Sequence, residues 1–227
     1  MRGHEVSRLE GFSDAVFGFA LTLLVVSLEV PHSFPALKET LSGFIPFAAT
    51  FAVVGWIWFE HYSFFLRFSL RDNLTVFLNL VLLFVVLFFA YPLKFVLTRL
   101  VAGMTGIGMS AADEGLQSMT ASDARLLMAT YSAGFVAVFG ILTLFYWNAL
   151  RQREALALTP LDVFDARAGL RAHLLSVAVG TVSILAALLV PIRLLWLAGF
   201  VYFLLGPVQG TNGRLNGRAR ARLLASS

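Results

Sequence analysis

The sequence contains no cysteine. Disulfides, thiolate zinc sites, iron–sulfur clusters and cysteine nucleophiles are therefore excluded. Charge is scarce as well: Asp, Glu, Lys and Arg make up 13% of the 227 residues, against about 25% in a soluble domain. Lysine is nearly missing, with only Lys38 and Lys94, so the net charge of +4 rests on arginine. No H-E-x-x-H or G-x-S-x-G pattern occurs, and no internal repeat or heptad. What the chain does have is apolar residues: 59% of the total, with a mean hydropathy of +0.82. Such a chain cannot cover its own surface with polar groups, so lipid must cover part of it. The same excess of apolar residues excludes disorder as the dominant state.

About 20 apolar residues in a helix cross a hydrocarbon core about 30 Å thick. Six stretches qualify, predicting an all-α, polytopic membrane protein with a single domain over 1–227. They run over about 8–30, 38–66, 73–100, 125–150, 167–190 and 194–208, the last being the shortest. The first run is too long for a secretory leader, carries Asp14 and lacks a small-residue cleavage site, so it is expected to be retained. Basic residues set the orientation. With the N-terminus inside, the inner segments hold Arg2, Arg8, Arg67, Arg71, Arg151, Arg153, Arg167, Arg171, Arg214, Arg218, Arg220 and Arg222. The outer segments hold Lys38, Lys94, Arg99, Arg125 and Arg193. Twelve against five, with an even number of spans, predicts both termini in the cytoplasm. Residues 102–123 are expected to form an outer loop. Residues 210–227 are expected to be a disordered basic tail near anionic headgroups. Binding of nucleic acid by that tail is not expected.

The first span carries charge in an awkward place. Asp14 lies about two turns in from Arg8 with apolar residues on both sides. A carboxylate there must pair, protonate or face water. At about 100° per residue, Phe12, Phe19, Leu23, Val26 and Val30 fall within about 40° of one line. Asp14 lies about 140° from it. Whatever the Phe19 stripe faces, Asp14 faces something else.

Residues 8–31 read RLEGFSDAVFGFALTLLVVSLEVP. Arg8, Phe12, Ser13 and Asp14, followed by Thr22, Leu23 and Leu24, form an R-x-x-x-F-S-D signature and its T-L-L continuation. This pattern resembles that of the Transmembrane Protein 175 family of potassium channels. The segment WIWFEHYSFF adds Trp58 and His61 at W-x-x-H spacing, and FLNLVLLFVVLFFAYP adds Asn79 and Pro92. The resemblance implies six helices per subunit and a homotetramer in a bacterial inner (plasma) membrane, with the first helix lining the pore. It implies a constriction at Phe19, with Thr22, Leu23 and Val26 on the following turns, where the family more often carries Ile or Leu in place of Phe19. It assigns Arg8, Phe12, Ser13 and Asp14 to a packing network with Trp58, His61 and Asn79. Partners are then copies of the chain itself, the lipid bilayer and permeant monovalent cations, potassium first. No bound metal or cofactor is implied.

Four Phe19 rings can close a pore sterically and by dewetting, as a hydrophobic gate. They can equally present cation-attracting faces, or pack between subunits and leave Leu23 as the constriction. No T-V-G-Y-G filter is present, and the GTV at 180–182 continues as SILAALL, inside a helix. No span is Arg-rich enough for a voltage sensor. A potassium-permeable channel is the reading that fits best. A proton-permeable or weakly selective cation pore, or a secondary transporter, stays open beside it. An enzyme is not expected, because Glu60 and His61 are adjacent on a helix and diverge by about 100°. His173 is expected at the membrane interface.

Overall fold

The computed structural model describes residues 7–26, 31–105 and 120–225. The expected continuation of the first span over 27–30, most of the outer loop (106–119) and Arg2 lie outside the described residues. Helix α1 spans Arg8–Val26, α2 Phe34–Ser42, α3 Phe44–Phe68, α4 Asn73–Thr105, α5 Ala121–Arg151 and α6 Pro160–Leu189. A final segment follows Pro191: a 3-10 turn at Ile192–Leu194, α7 Trp196–Phe200, a 3-10 turn at Val201–Leu204 and α8 Leu205–Ala225. Six helical segments are long and apolar enough to cross a membrane, and the chain is an all-α, multi-pass membrane protein.

The helix ends follow from local chemistry. The second span, expected from residue 38, is broken at Gly43 into α2 and α3. A proline ring clashes with the carbonyl four residues earlier. Pro46 therefore sits in the first turn of α3, where the missing N–H costs no helical bond, and the break falls just before it. Pro207 acts alike in the last segment, where α8 restarts just before it and tight 3-10 geometry precedes. Helices α5 and α6 each start on a capping box, Thr120 with Asp123 and Thr159 with Asp162. Both start earlier than the hydropathy suggested. Helix α3 ends on Ser69 in a left-handed conformation, with φ 46°. Pro92 lies inside α4, a position that membrane helices tolerate.

Helices α5 and α6 form the tightest pair, α4 packs on α5, and α1 lies against α3 and α4. The final segment packs mainly on α6. The core is aromatic: Phe64 stacks on Phe145 with ring centroids 5.0 Å apart, and Phe65, Phe68 and Tyr146 surround that pair. Gly134 and Gly169 allow close approach. A Cβ at Gly134 would lie 2.3 Å from the buried Phe89 ring, and one at Gly169 would lie 2.3 Å from Tyr146.

Polar contacts bind the two ends of the bundle. At one end, the Arg125 guanidinium donates to the carbonyls of Ala187, Leu188 and Val190 at 2.6–3.1 Å, capping the C-terminus of α6. At the other, Asp165 of α6 pairs with Arg67 of α3 at 2.9 Å and with Arg220 of α8 at 3.2 Å. Over 210–225 the tail expected to be disordered is instead helical, since α8 runs to Ala225. Arg220, the Arg171–Asn216 bond (3.0 Å) and Gln209, which donates to the Ala172 carbonyl at 2.7 Å, fix it along α6. Counting charges and glycines alone misses these partners.

Candidate functional site

Helix α1 starts on a reciprocal cap. The Ser7 N–H donates to Glu10 Oε2 at 2.9 Å, and the Glu10 N–H donates to Ser7 Oγ at 3.2 Å. One face of α1, made of Ser13, Phe17, Ala20 and Leu24, is buried in the bundle. The spacing of four, three and four residues is that of a single helical stripe. The opposite face is uncovered: Phe12 is 52% exposed, Phe19 57% and Val26 76%. Thr22 is exposed on this side, and its hydroxyl donates to the Phe19 carbonyl at 2.8 Å. Leu23, at the edge of the predicted stripe, is half-buried.

The buried face is keyed by polar groups. Ser13 Oγ donates to the Leu9 carbonyl at 2.8 Å and accepts from Asn79 Nδ2 at 2.9 Å. Asn79 Oδ1 lies 2.7 Å from His61 Nε2. Oδ1 can only accept, so His61 carries its proton on Nε2. His61 Nδ1 makes no hydrogen bond among the described residues. The imidazole packs between Phe17, at 5.6 Å, and Phe65, at 4.6 Å. Ser13, His61 and Asn79 are each at most 1% exposed. The hydrogen bonds that join this triad fix register in an apolar bundle, because a slip of any of the three helices leaves further buried groups unpaired.

The expected network thus divides. Ser13, His61 and Asn79 meet in the core. Asp14 is on the outside of α1 and accepts a 2.8 Å hydrogen bond from Trp58 Nε1. His61 and Asn79 make no hydrogen bond to it, though the sequence reading offered both as partners. Arg8 is exposed and makes no hydrogen bond or ion pair among the described residues, and Phe12 belongs to the uncovered face.

Other contacts were not legible in the sequence. His173 is 3% exposed rather than interfacial, because α6 begins thirteen residues before it at Pro160. Its Nε2 lies 3.7 Å from Glu60, which accepts a 3.0 Å bond from Trp56. Glu60 and His61 do face different elements, as their helical spacing required. Outside the spans, Asp72 accepts from Thr75 Oγ1 at 2.6 Å and from the buried Asn148 at 3.1 Å. Burial raises its carboxyl pKa, but hydrogen bonds from Thr75, Gln152 and Asn148 outweigh that and hold it below the ordinary carboxylate value. Gly180 to Val182 lie within continuous helix α6. Among the described residues, no three His, Asp or Glu side chains gather as metal ligands.

An all-helical, multi-pass membrane protein is defined here, one whose first span is locked to its bundle by a buried Ser–Asn–His triad and leaves its other face bare. Comparison with known proteins narrows the class. Residues 8–89 match the family described as endosomal/lysosomal potassium channel TMEM175. A curated potassium channel of Marivirga tractuosa is 37% identical over 229 residues, covering 98% of this chain and 92% of that protein. A potassium channel of Streptomyces collinus is 33% identical over 95 residues, covering 39% of this chain and 46% of that one. The crystal structure of a variant of the potassium channel MtTMEM175, in complex with a nanobody–MBP fusion protein, superposes with a TM-score of 0.83 at 36% identity, covering 96% of each chain. A homologue from Chamaesiphon minutus shares the fold, with a TM-score of 0.60 at 21% identity over 87% of this chain and 92% of that one. The chain belongs to the TMEM175 family, a family of channels and not of enzymes.

Proposed function

We propose that the chain is one subunit of a homotetrameric, potassium-permeable cation channel with α1 of each subunit around a central conduit. Phe19, Thr22, Leu23 and Val26 line that conduit, and the Phe19 rings form its narrowest level as a hydrophobic gate. The observation that carries this reading is the uncovered apolar face of α1. Phe12, Phe19 and Val26 are all more than half exposed on a helix whose other face is tightly keyed. One helix cannot enclose a path, so the same face from several copies must close around an axis. The relatives named as potassium channels support the choice of ion. Permeation past apolar side chains, with no backbone-carbonyl filter, offers little replacement for hydration, and modest selectivity follows.

Ser13, Asp14, Trp58, His61 and Asn79 position α1, with Arg8 completing the signature, and none of these lines the ion path; Phe12, also of the signature, lies on the uncovered face. The arginine asymmetry supports a bacterial plasma (inner) membrane orientation with both termini in the cytoplasm. Residues 1–227 act as one transmembrane domain. Potassium flux from liposomes containing the purified protein tests the proposal. The parent should pass potassium down its gradient, and Phe19→Ala should raise the flux several-fold. An unchanged flux in Phe19→Ala would move the gate to Leu23 or Val26, and a parent that passes no ions would refute the channel reading.

A further inference from the structure

A second feature lies far from α1. Between the end of α4, the start of α5 and the final segment is a cavity of about 630 Å³, a size usual for ligand sites. Its walls are apolar, among them Leu97, Leu127, Met128, Trp196, Phe200 and Phe203. Trp196, Phe200 and Phe203 are each more than half exposed. The one charged residue of the lining is Arg99, which makes no hydrogen bond or ion pair among the described residues. By contrast, Arg125 near this end of the bundle is spent on capping α6.

Depth along the membrane defines the occupant. Arg99 is 26 residues beyond Asn73 on a continuous helix, about 39 Å at 1.5 Å per residue. With Asn73 at one interface, that rise exceeds the hydrocarbon thickness of about 30 Å. Arg99 therefore sits among headgroups, and Leu97 and Tyr131 lie deeper. Trp196 beside it is the residue type that marks such interfaces. A greasy cleft with exposed aromatic walls, rimmed at headgroup height by one guanidinium that has no partner among the described residues, matches an anionic amphiphile. A zwitterionic lipid fills the cleft equally well but brings its own cation and leaves Arg99 without net compensation. A guanidinium holds a phosphodiester with paired hydrogen bonds.

We propose that this cavity binds an anionic phospholipid, one acyl chain inserted along Leu97, Met128 and Phe200 and the headgroup phosphate held by Arg99. The site is independent of whether α1 conducts ions. Phosphatidylglycerol and phosphatidylcholine with the same acyl chains, titrated into the purified full-length protein in detergent and counted per subunit by native mass spectrometry, test it. The parent should prefer phosphatidylglycerol. Arg99→Gln should weaken phosphatidylglycerol about fivefold and leave phosphatidylcholine unchanged, and Arg99→Lys should restore most of the difference. Gly199→Leu should exclude both lipids, because a Cβ at Gly199 lies 3.6 Å from Met128 Cε and its side chain enters the cleft. Lipid-free unfolding midpoints show whether each variant is folded, and the two Arg99 variants decide the matter if Gly199→Leu is not. Equal binding of the two lipids by the parent, or a preference that survives Arg99→Gln, would overturn the proposal.

Discussion

Asn79 is where three helices exchange hydrogen bonds. Its amide serves Ser13 on α1, and its carbonyl serves His61 on α3. In Asn79→Leu, a buried imidazole N–H loses its acceptor, and Ser13 loses a donor. Such a loss costs about 1–3 kcal/mol, and a lower unfolding midpoint in detergent should report it. Asp14 is different in kind, because its carboxylate is exposed in the subunit and tied only to Trp58. We expect Asp14→Ala to leave that midpoint nearly unchanged and to lower the yield of tetramer on size-exclusion chromatography, whereas Asp14→Asn retains an acceptor for Trp58. A normal tetramer yield in Asp14→Ala would show that the Asp14–Trp58 bond is not needed to position α1 for assembly. Asp72 supplies a pH test. Its folded pKa lies below the unfolded value, so its contribution is complete above the ordinary carboxylate range and is lost as pH falls through the folded pKa. The stability gap between the parent and Asp72→Asn should thus be constant near neutrality and shrink below about pH 4.

Close packing sets the limits at the scale of elements. Helices α4 and α5 approach through Gly134, where the facing Phe89 ring is buried. Gly134→Ala forces the helices apart and should destabilise by about 1–3 kcal/mol, the range for overpacking, read as a lower unfolding midpoint. Helix α8 is the opposite case. No residue in it is buried, and polar bonds to α6 fix it. The arginines that pair with Asp165 are themselves partly solvated, so each bridge is worth less than about 1 kcal/mol. Arg220→Gln should leave the unfolding midpoint unchanged and increase proteolytic cutting within 210–225. Unaltered cutting would mean that Gln209 and Asn216 hold the helix without the bridge.

The architecture is polarised among the described residues: α1 packs mainly on α3 and α4, and the final segment packs mainly on α6. That leaves the far face of α1 uncovered among the described residues, the face proposed to meet other copies. The absence of cysteine makes the arrangement directly testable. A single Thr22→Cys, reconstituted in liposomes, should lose potassium flux on treatment with a charged thiol reagent if the residue lines the conduit. Retention of flux would place Thr22 elsewhere. Much of the architecture was legible in the sequence, because about 20 apolar residues can satisfy their backbone in lipid only as a helix. The two ends of the last span were not legible. Pro207 and the anchors on α6 act on its path, and hydropathy registers neither.

The sequence by itself determined six spans, the R-x-x-x-F-S-D signature and the divergence of Asp14 from the Phe19 stripe, since each depends on residue type or on the helical repeat. Only the tertiary structure decided which polar residues meet. Ser13 and Asn79 are 66 positions apart, and Asp165 chooses Arg67 and Arg220 from fifteen arginines. Local pattern fixes the direction in which a side chain leaves its own helix. What stands opposite depends on how helices distant in the chain are packed, and no local repeat encodes that.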